Sequence, residues 1–258
     1  MIQETEVSKQ EVQKMIKTQK NYEGTAIDSN GASGSICTLW NKWKWELAKQ
    51  ELNNYWVRTD LKNKSTNEEF SIINIYSPSH YRDKAQCWKS VKEEESEGKR
   101  LKLIIGGDLN LIRNIDEKLG NNYFSDPSRA ALEELIEEHK LLDITPSNGK
   151  CTWSNKRTGI HNIKQRLDRI LIQENIAAAF SIVKTKIVHA SASDHKPVVL
   201  TLDRLENQGP IPFKYNKLWD SKEDFDKKIR ESWKNNVIGS PHYVWETKLK
   251  ILRFLLKA

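Results

Sequence analysis

The sequence predicts a layered α/β or α+β sandwich, and three observations predict it. Short strand-like runs dominate most of the chain. Helical stretches fall between them irregularly rather than in strict alternation. Leu101 to Ile105 is a short apolar run, the mark of a strand covered on both faces.

Each element has its own local reason. The chain opens on the short apolar fragment Met1-Ile2, which runs into Gln3-Glu4-Thr5. Ser8 to Glu11 has the spacing of a capping box, with Val12, Met15 and Ile16 as the apolar stripe behind it, so a helix is expected over about 9–19. Gly31 to Gly34 reads as a turn before a strand at Ser35–Trp40. Further strand-like runs are Trp43–Leu52, Tyr55–Asp60 and Phe70–Tyr76. In the last, Phe70, Ile72, Asn74 and Tyr76 share one face while Ile73 and Ile75 take the other. Pro78 ends it, because proline cannot continue a ladder. Ala85, Trp88 and Val91 predict a helix over about 82–96. Asp126-Pro127 is a helix start, a capping acid before a first-turn proline, with Leu132, Leu135, Ile136 and Leu142 as its buried stripe. Short strands follow near 151–154, 166–172, 182–189 and 197–202, with a small helix around Ile176–Phe180. Gln208-Gly209-Pro210-Ile211-Pro212 reads as a linker, beyond which 221–235 and 242–257 have helical periodicity.

Composition narrows the class. Apolar residues make up 37% and charged residues 30% of the 258, a soluble, globular balance without a disordered signature. No apolar run reaches the roughly 18 residues of a membrane span, and the charged first twenty residues carry no secretory signal. Cys37, Cys87 and Cys151 are too few and too widely spaced for a disulfide framework or a zinc site, which suits a reducing nuclear or cytoplasmic setting. The net charge is +7, but residues 1–203 hold 30 Lys+Arg against 28 Asp+Glu, and residues 204–258 hold 12 against 7. The positive excess therefore lies mainly in the tail. It permits a polyanionic partner without demanding one.

Four acidic clusters stand where strands should end or run. In Gly106-Gly107-Asp108-Leu109-Asn110, Asp108 and Asn110 leave the same face of an extended segment, and two such oxygen ligands suit a hard cation. Taken alone, that sequence is more often an ordinary turn. Ser193-Asp194-His195-Lys196-Pro197 could hold a metal and handle a proton, or be a capped turn with a solvated histidine. Asp168, in Arg166-Leu167-Asp168-Arg169, sits in an apolar strand and needs a cation or histidine beside it, unless it faces solvent from an edge. Gln3-Glu4-Thr5 says little by itself.

Together, the order Glu4, Tyr76-Ser77-Pro78, Asp108/Asn110, Thr152-Trp153, Asp168, Asp194-His195 resembles the endonuclease/exonuclease/phosphatase family. Gly107-Asp108-Leu109-Asn110 followed by Glu117-Lys118-Leu119-Gly120, Cys151-Thr152-Trp153-Ser154-Asn155, and Arg166-Leu167-Asp168-Arg169 look most like the endonuclease of plant-type LINE retroelements. The resemblance covers about 1–203. It implies a four-layer α/β/β/α sandwich of the DNase I-like kind. The remainder, 204–258, is a linker and basic helical tail that resembles the connector to a reverse transcriptase.

The resemblance also implies roles. Glu4 would ligate Mg²⁺ (or Mn²⁺), with Asp194 at or near the metal. Asp108 and Asn110 would orient water and phosphate, and His195, held by Asp168, would face the scissile phosphate. Tyr76, Thr152 and Arg166 would support the phosphate or the DNA. Either Asp108 or His195 would be the general base. The family starts with a strand carrying an Asn before a Gly, ahead of the acid that Glu4 matches, so the sandwich is expected to lack its first strand. The expected function is metal-dependent nicking of DNA. The alternatives are an impaired relic with weak nucleic-acid binding, or a small-phosphoester phosphatase of the same family. A reverse transcriptase domain is expected in a full-length element, and no membrane partner.

Overall fold

The structure is a computed structural model that describes every residue except 4, 6, 29–34, 97–101, 121–125, 190–192, 205–224, 235 and 258, and at 35, 94–96, 256 and 257 the backbone only. Helix α1 (Lys9–Thr18) starts at the predicted capping box: Ser8 Oγ accepts from Glu11 N and the Glu11 carboxylate accepts from Ser8 N. The chain continues as β1 (Tyr22–Asp28), β2 (Ser35–Asn41), β3 (Trp45–Leu52), β4 (Trp56–Asn63), β5 (Glu69–Tyr76), α2 (Tyr81–Ser96) and β6 (Lys102–Asp108). Then follow β7 (Lys118–Leu119), α3 (Arg129–Glu138), β8 (Leu141–Asp143), β9 (Trp153–Ser154), β10 (Lys164–Gln165) and β11 (Asp168–Gln173). The last elements are α4 (Glu174–Ala179), β12 (Ile182–Ile187), β13 (Val198–Asp203), α5 (Phe225–Lys234) and α6 (Pro241–Lys257).

A six-stranded sheet in the order β3-β4-β5-β6-β11-β8 is the centre of the fold. Its β5–β6 pair is parallel and is joined through α2, as a parallel crossover requires. Side chains alternate across the sheet. Ile73, Ile75, Leu103, Ile105 and Leu171 pack against Cys87, Trp88 and Val91 of α2 and Leu132 and Leu135 of α3. Phe70, Ile104, Ile170 and Ile172 leave the other face and meet Ile176 of α4 and the antiparallel pair β12–β13. The antiparallel pair β1–β2 reaches β4 and β5 through Ile27, Ile36, Val57 and Tyr76, and α1 covers that pair through Val12. Helices, large sheet, two β-pairs and an outer helix make the expected α/β/β/α layering. Asn74, fully buried on β5, donates to Cys37 O at 2.8 Å and so satisfies a polar group where the layers meet.

Several boundaries differ from expectation for local reasons. Helix α3 begins at Arg129, because Asp126 spends its carboxylate on Ser128 N and Oγ one turn earlier. Leu142 leaves the expected stripe and lies in β8, partly exposed. The strand expected at 166–172 starts at Asp168. The two-residue strands β7, β9 and β10 form a small sheet of their own, and are too short for any periodicity to show. The turn at Gly31–Gly34 and the linker at Gln208–Pro212 lie outside the described residues.

The chain divides into two compact units, Met1–Leu205 and Glu206–Ala258. Within the second, α5 and α6 pack on one another with Trp233 edge-on to Trp245, ring centroids 6.1 Å apart. Among the described residues, no helix is long and apolar enough to cross a membrane.

Candidate active site

Register alone brings the first three groups together. β6 lies between β5 and β11, and its last residue, Asp108, pairs with Tyr76 on one side and Asp168 on the other. Two carboxylates directly opposite on neighbouring strands repel each other unless something positive lies between them. Gly107 makes the packing beside them close. Its φ is +140°, and a Cβ there would stand 2.0 Å from Ile75 O, so glycine is required.

The turn after β6 is stitched from both sides. Asp108 is 3% exposed, and its Oδ1 accepts from Asn110 N at 2.8 Å. Asn110 takes a left-handed φ of +46°, and its Nδ2 donates to Ser77 O at 2.8 Å. Ser77 N donates to Asp108 O at 2.9 Å, and Leu109 N to Leu167 O at 3.0 Å. The turn is therefore tied to the ends of both neighbouring strands.

Asp168 is placed by Thr152, whose buried Oγ1 accepts from both Leu167 N and Asp168 N at 3.0 Å. Asp168 Oδ2 then meets His195 Nδ1 at 2.9 Å, which fixes the ring and turns Nε2 inward, 3.9 Å from Asp108 Oδ2. His195 is steadied by a bridge to Trp153 and by its own N–H to Ser193 Oγ. Asp194 lies beside it with its Oδ2 accepting from Trp153 Nε1 at 2.8 Å. Burial pushes the Asp194 carboxyl up, but the Trp153 bond and nearby positive groups outweigh it and hold the group below its ordinary value.

Asp108, Asp168 and His195 each offer one ligand atom, all within 4.8 Å of one another. Two carboxylates and an imidazole in that space fit a divalent cation, and the repulsion between the opposed acids is what such an ion would relieve.

Tyr76, Asp108, Asn110, Thr152, Asp168 and His195 thus converge, with Asp194 adjoining. Thr152 reaches backbone N–H groups instead of the cleft. Arg166 departs from expectation. It is 4% exposed, and its guanidinium pairs with Glu117 Oε1 at 3.0 Å and with Asp143, so it turns into the interior instead of toward a phosphate. Glu4 lies outside the described residues.

The sequence reading gave no role to the ion network beneath the site. Glu117 receives Arg166 and the fully buried Arg169, Asp143 receives both as well, and Arg113 joins Asp143 to Glu133. Three cations thus balance three anions. Burial raises the Glu117 carboxyl, but Arg169, the Arg113 N–H and Arg166 more than reverse this and hold it at about 2. The signal was present: Glu117 opens Glu-Lys-Leu-Gly, and Arg166 and Arg169 flank Asp168 in Arg-Leu-Asp-Arg. Their reciprocal pairing only appears when the two segments are brought together.

Comparison with known proteins places these features in context. A family profile described as Endonuclease-reverse transcriptase matches residues 70–199, which hold every described residue of the site. No curated protein matches the chain. Among solved structures, the endonuclease domain of TRAS1, a telomere-specific non-LTR retrotransposon, is similar at a TM-score of 0.55 and 15% identity, over 73% of this chain and 83% of that one. The AP endonuclease LMAP from Leishmania major is similar at 0.58 and 13%, over 78% and 77%. An endonuclease/exonuclease/phosphatase family protein from Bacteroides thetaiotaomicron is similar at 0.52 and 16%, over 75% and 79%. At these identities, the likeness is one of fold.

Proposed function

Because this chain belongs to the endonuclease/exonuclease/phosphatase family, we propose that it is a metal-dependent endonuclease that nicks DNA, of the kind retroelements carry. Members of the family are metal-dependent phosphoester hydrolases. The observation that carries the reading is the constellation across three strands, in which Asp168 opposes Asp108 and His195 closes the gap at 2.9 and 3.9 Å. The family description, which joins an endonuclease to a reverse transcriptase, supports the retroelement setting.

Asp108, with Glu4 and Asp194 as further candidates, would hold Mg²⁺ or Mn²⁺ beside the Asp168–His195 pair. Such an ion supplies Lewis-acid stabilisation of charge on the phosphoryl oxygens. The chain's own groups do the rest. His195, oriented through Nδ1 by Asp168, presents Nε2 toward the reacting phosphate. The water's proton passes to the Asp108–His195 pair, and Asn110, with its Nδ2 fixed on Ser77 O, orients the oxygens being transferred. Tyr76 lies one strand away as a phosphate support.

The test is nicking of supercoiled plasmid in Mg²⁺. Asp108→Ala is expected to lower the rate on the order of 10²-fold or more while the chain still melts cooperatively. Nicking that persists in EDTA, or an Asp108→Ala chain as fast as the parent, would overturn the metal mechanism. Hydrolysis of a small phosphate monoester in preference to plasmid would replace DNA with a small substrate.

A further inference from the structure

The turn that carries Asp108 and Asn110 rests on a buried cation. Lys84, in the first turn of α2, is 2% exposed and is the one buried lysine among the described residues. Its Nζ donates to Asn110 O at 2.6 Å and to Asp126 Oδ2. Asp126 in turn accepts from Ser128 N and Oγ just before α3. One ammonium therefore joins α2, the approach to α3 and the site turn.

A lysine is seldom buried without a reason, because an ammonium loses hydration that its partners must replace. Here it meets one carboxylate and one carbonyl, and that carbonyl belongs to a residue in a left-handed conformation that most side chains avoid. Asn110 is held at three polar points: N–H on Asp108 Oδ1, Nδ2 on Ser77 O, and O on Lys84 Nζ. The first bond lies within the turn, and the second ties it to the end of β5. The third anchors it to a helix.

We propose that Lys84 is a positioning residue: through Asn110 O it holds the Asp108–Asn110 turn in the conformation that aligns both side chains with His195. The catalytic part of this rests on the endonuclease reading; the structural part does not. The residue acts from behind the turn, so it should affect turnover and not the capture of DNA.

The experiment uses the full chain, with Lys84→Met, Asn110→Ala and the double variant. Amide hydrogen exchange is followed without metal, and plasmid nicking in Mg²⁺. In Lys84→Met, exchange at Asn110 and Leu111 is expected to rise about 10-fold or more while the amides of Ile104 and Ile105 stay protected. Its kcat should fall about 10-fold or more with KM within about twofold of the parent, and Lys84→Met should lower kcat further in the Asn110→Ala background, where the carbonyl that Lys84 holds is retained and Asp108 still depends on it. Lys84→Gln, which keeps a donor for Asn110 O, should recover part of both properties and is judged by the same readings if Lys84→Met does not fold. Parental exchange at Asn110 and Leu111, or a Lys84→Met kcat equal to the parent's, would overturn the proposal. A parent that does not nick plasmid would overturn the endonuclease reading, and the exchange result would still decide whether Lys84 holds the turn.

Discussion

The His195 ring is oriented by Asp168. Asp168 Oδ2 meets Nδ1 at 2.9 Å, so the acid selects which ring nitrogen faces Asp108. Asp168→Asn preserves size but removes the charge that favours a proton on Nδ1. The nicking rate is expected to fall on the order of 10²- to 10⁴-fold, with the melting temperature little changed, because Thr152 still fixes the backbone of residue 168. Parallel plasmid assays and thermal melts check both halves. Asp108 and Asp168 could be found in the sequence because they stand beside turn-forming residues or interrupt apolar runs, whereas Tyr76 and Thr152 stand out only through the resemblance to a known family. Lys84 could not, since a lysine on a polar helix looks like a solvated one until the turn packs over it.

Among the elements, α3, β8 and β11 depend on the charges between them. Glu117, in the 3-10 turn before β7, is 8% exposed and faces the guanidinium groups of Arg166 and Arg169. Glu117→Gln leaves that cluster with an excess buried positive charge, which should cost about 3–5 kcal/mol and lower the melting temperature by roughly 10 °C at neutral pH. The pH dependence follows from the depressed carboxyl. Its ordinary value is 4.5 and its folded value about 2, so its contribution is full above 4.5 and is lost as pH falls toward 2. Melting curves of parent and variant should therefore converge over that interval and stay apart above it. Hydrophobic periodicity located the long elements, such as α1, α2 and β5, because each buries a regular stripe. It could not find β7 or β10, which are held by partners instead of by a pattern. Nor could it place Arg166, where the same residues suit a phosphate contact and a buried ion pair.

At the scale of the molecule, the site and most of the excess positive charge belong to different units. The described site residues lie within Met1–Leu205, while Glu206–Ala258 carries a net +4 of the chain's +7. A chain ending at residue 205 is expected to melt in one transition and keep its kcat on plasmid. Its KM should rise, and its dependence on salt should become shallower, because fewer counterions are released on binding. Nicking measured across a salt series, for both lengths of chain, decides this. The fold class was legible because every layer is built from apolar stripes, whereas the division of labour between units depends on charge, which carries no address in sequence. The Glu117–Arg166–Arg169–Asp143 network bears on how such a chain can drift over generations. Loss of any one member strands a charge in the interior, so each single substitution is harmful while its partners remain. Segments some fifty residues apart are thereby inherited as one unit, and a descendant that had lost its enzymatic usefulness would still be compelled to preserve them in order to fold.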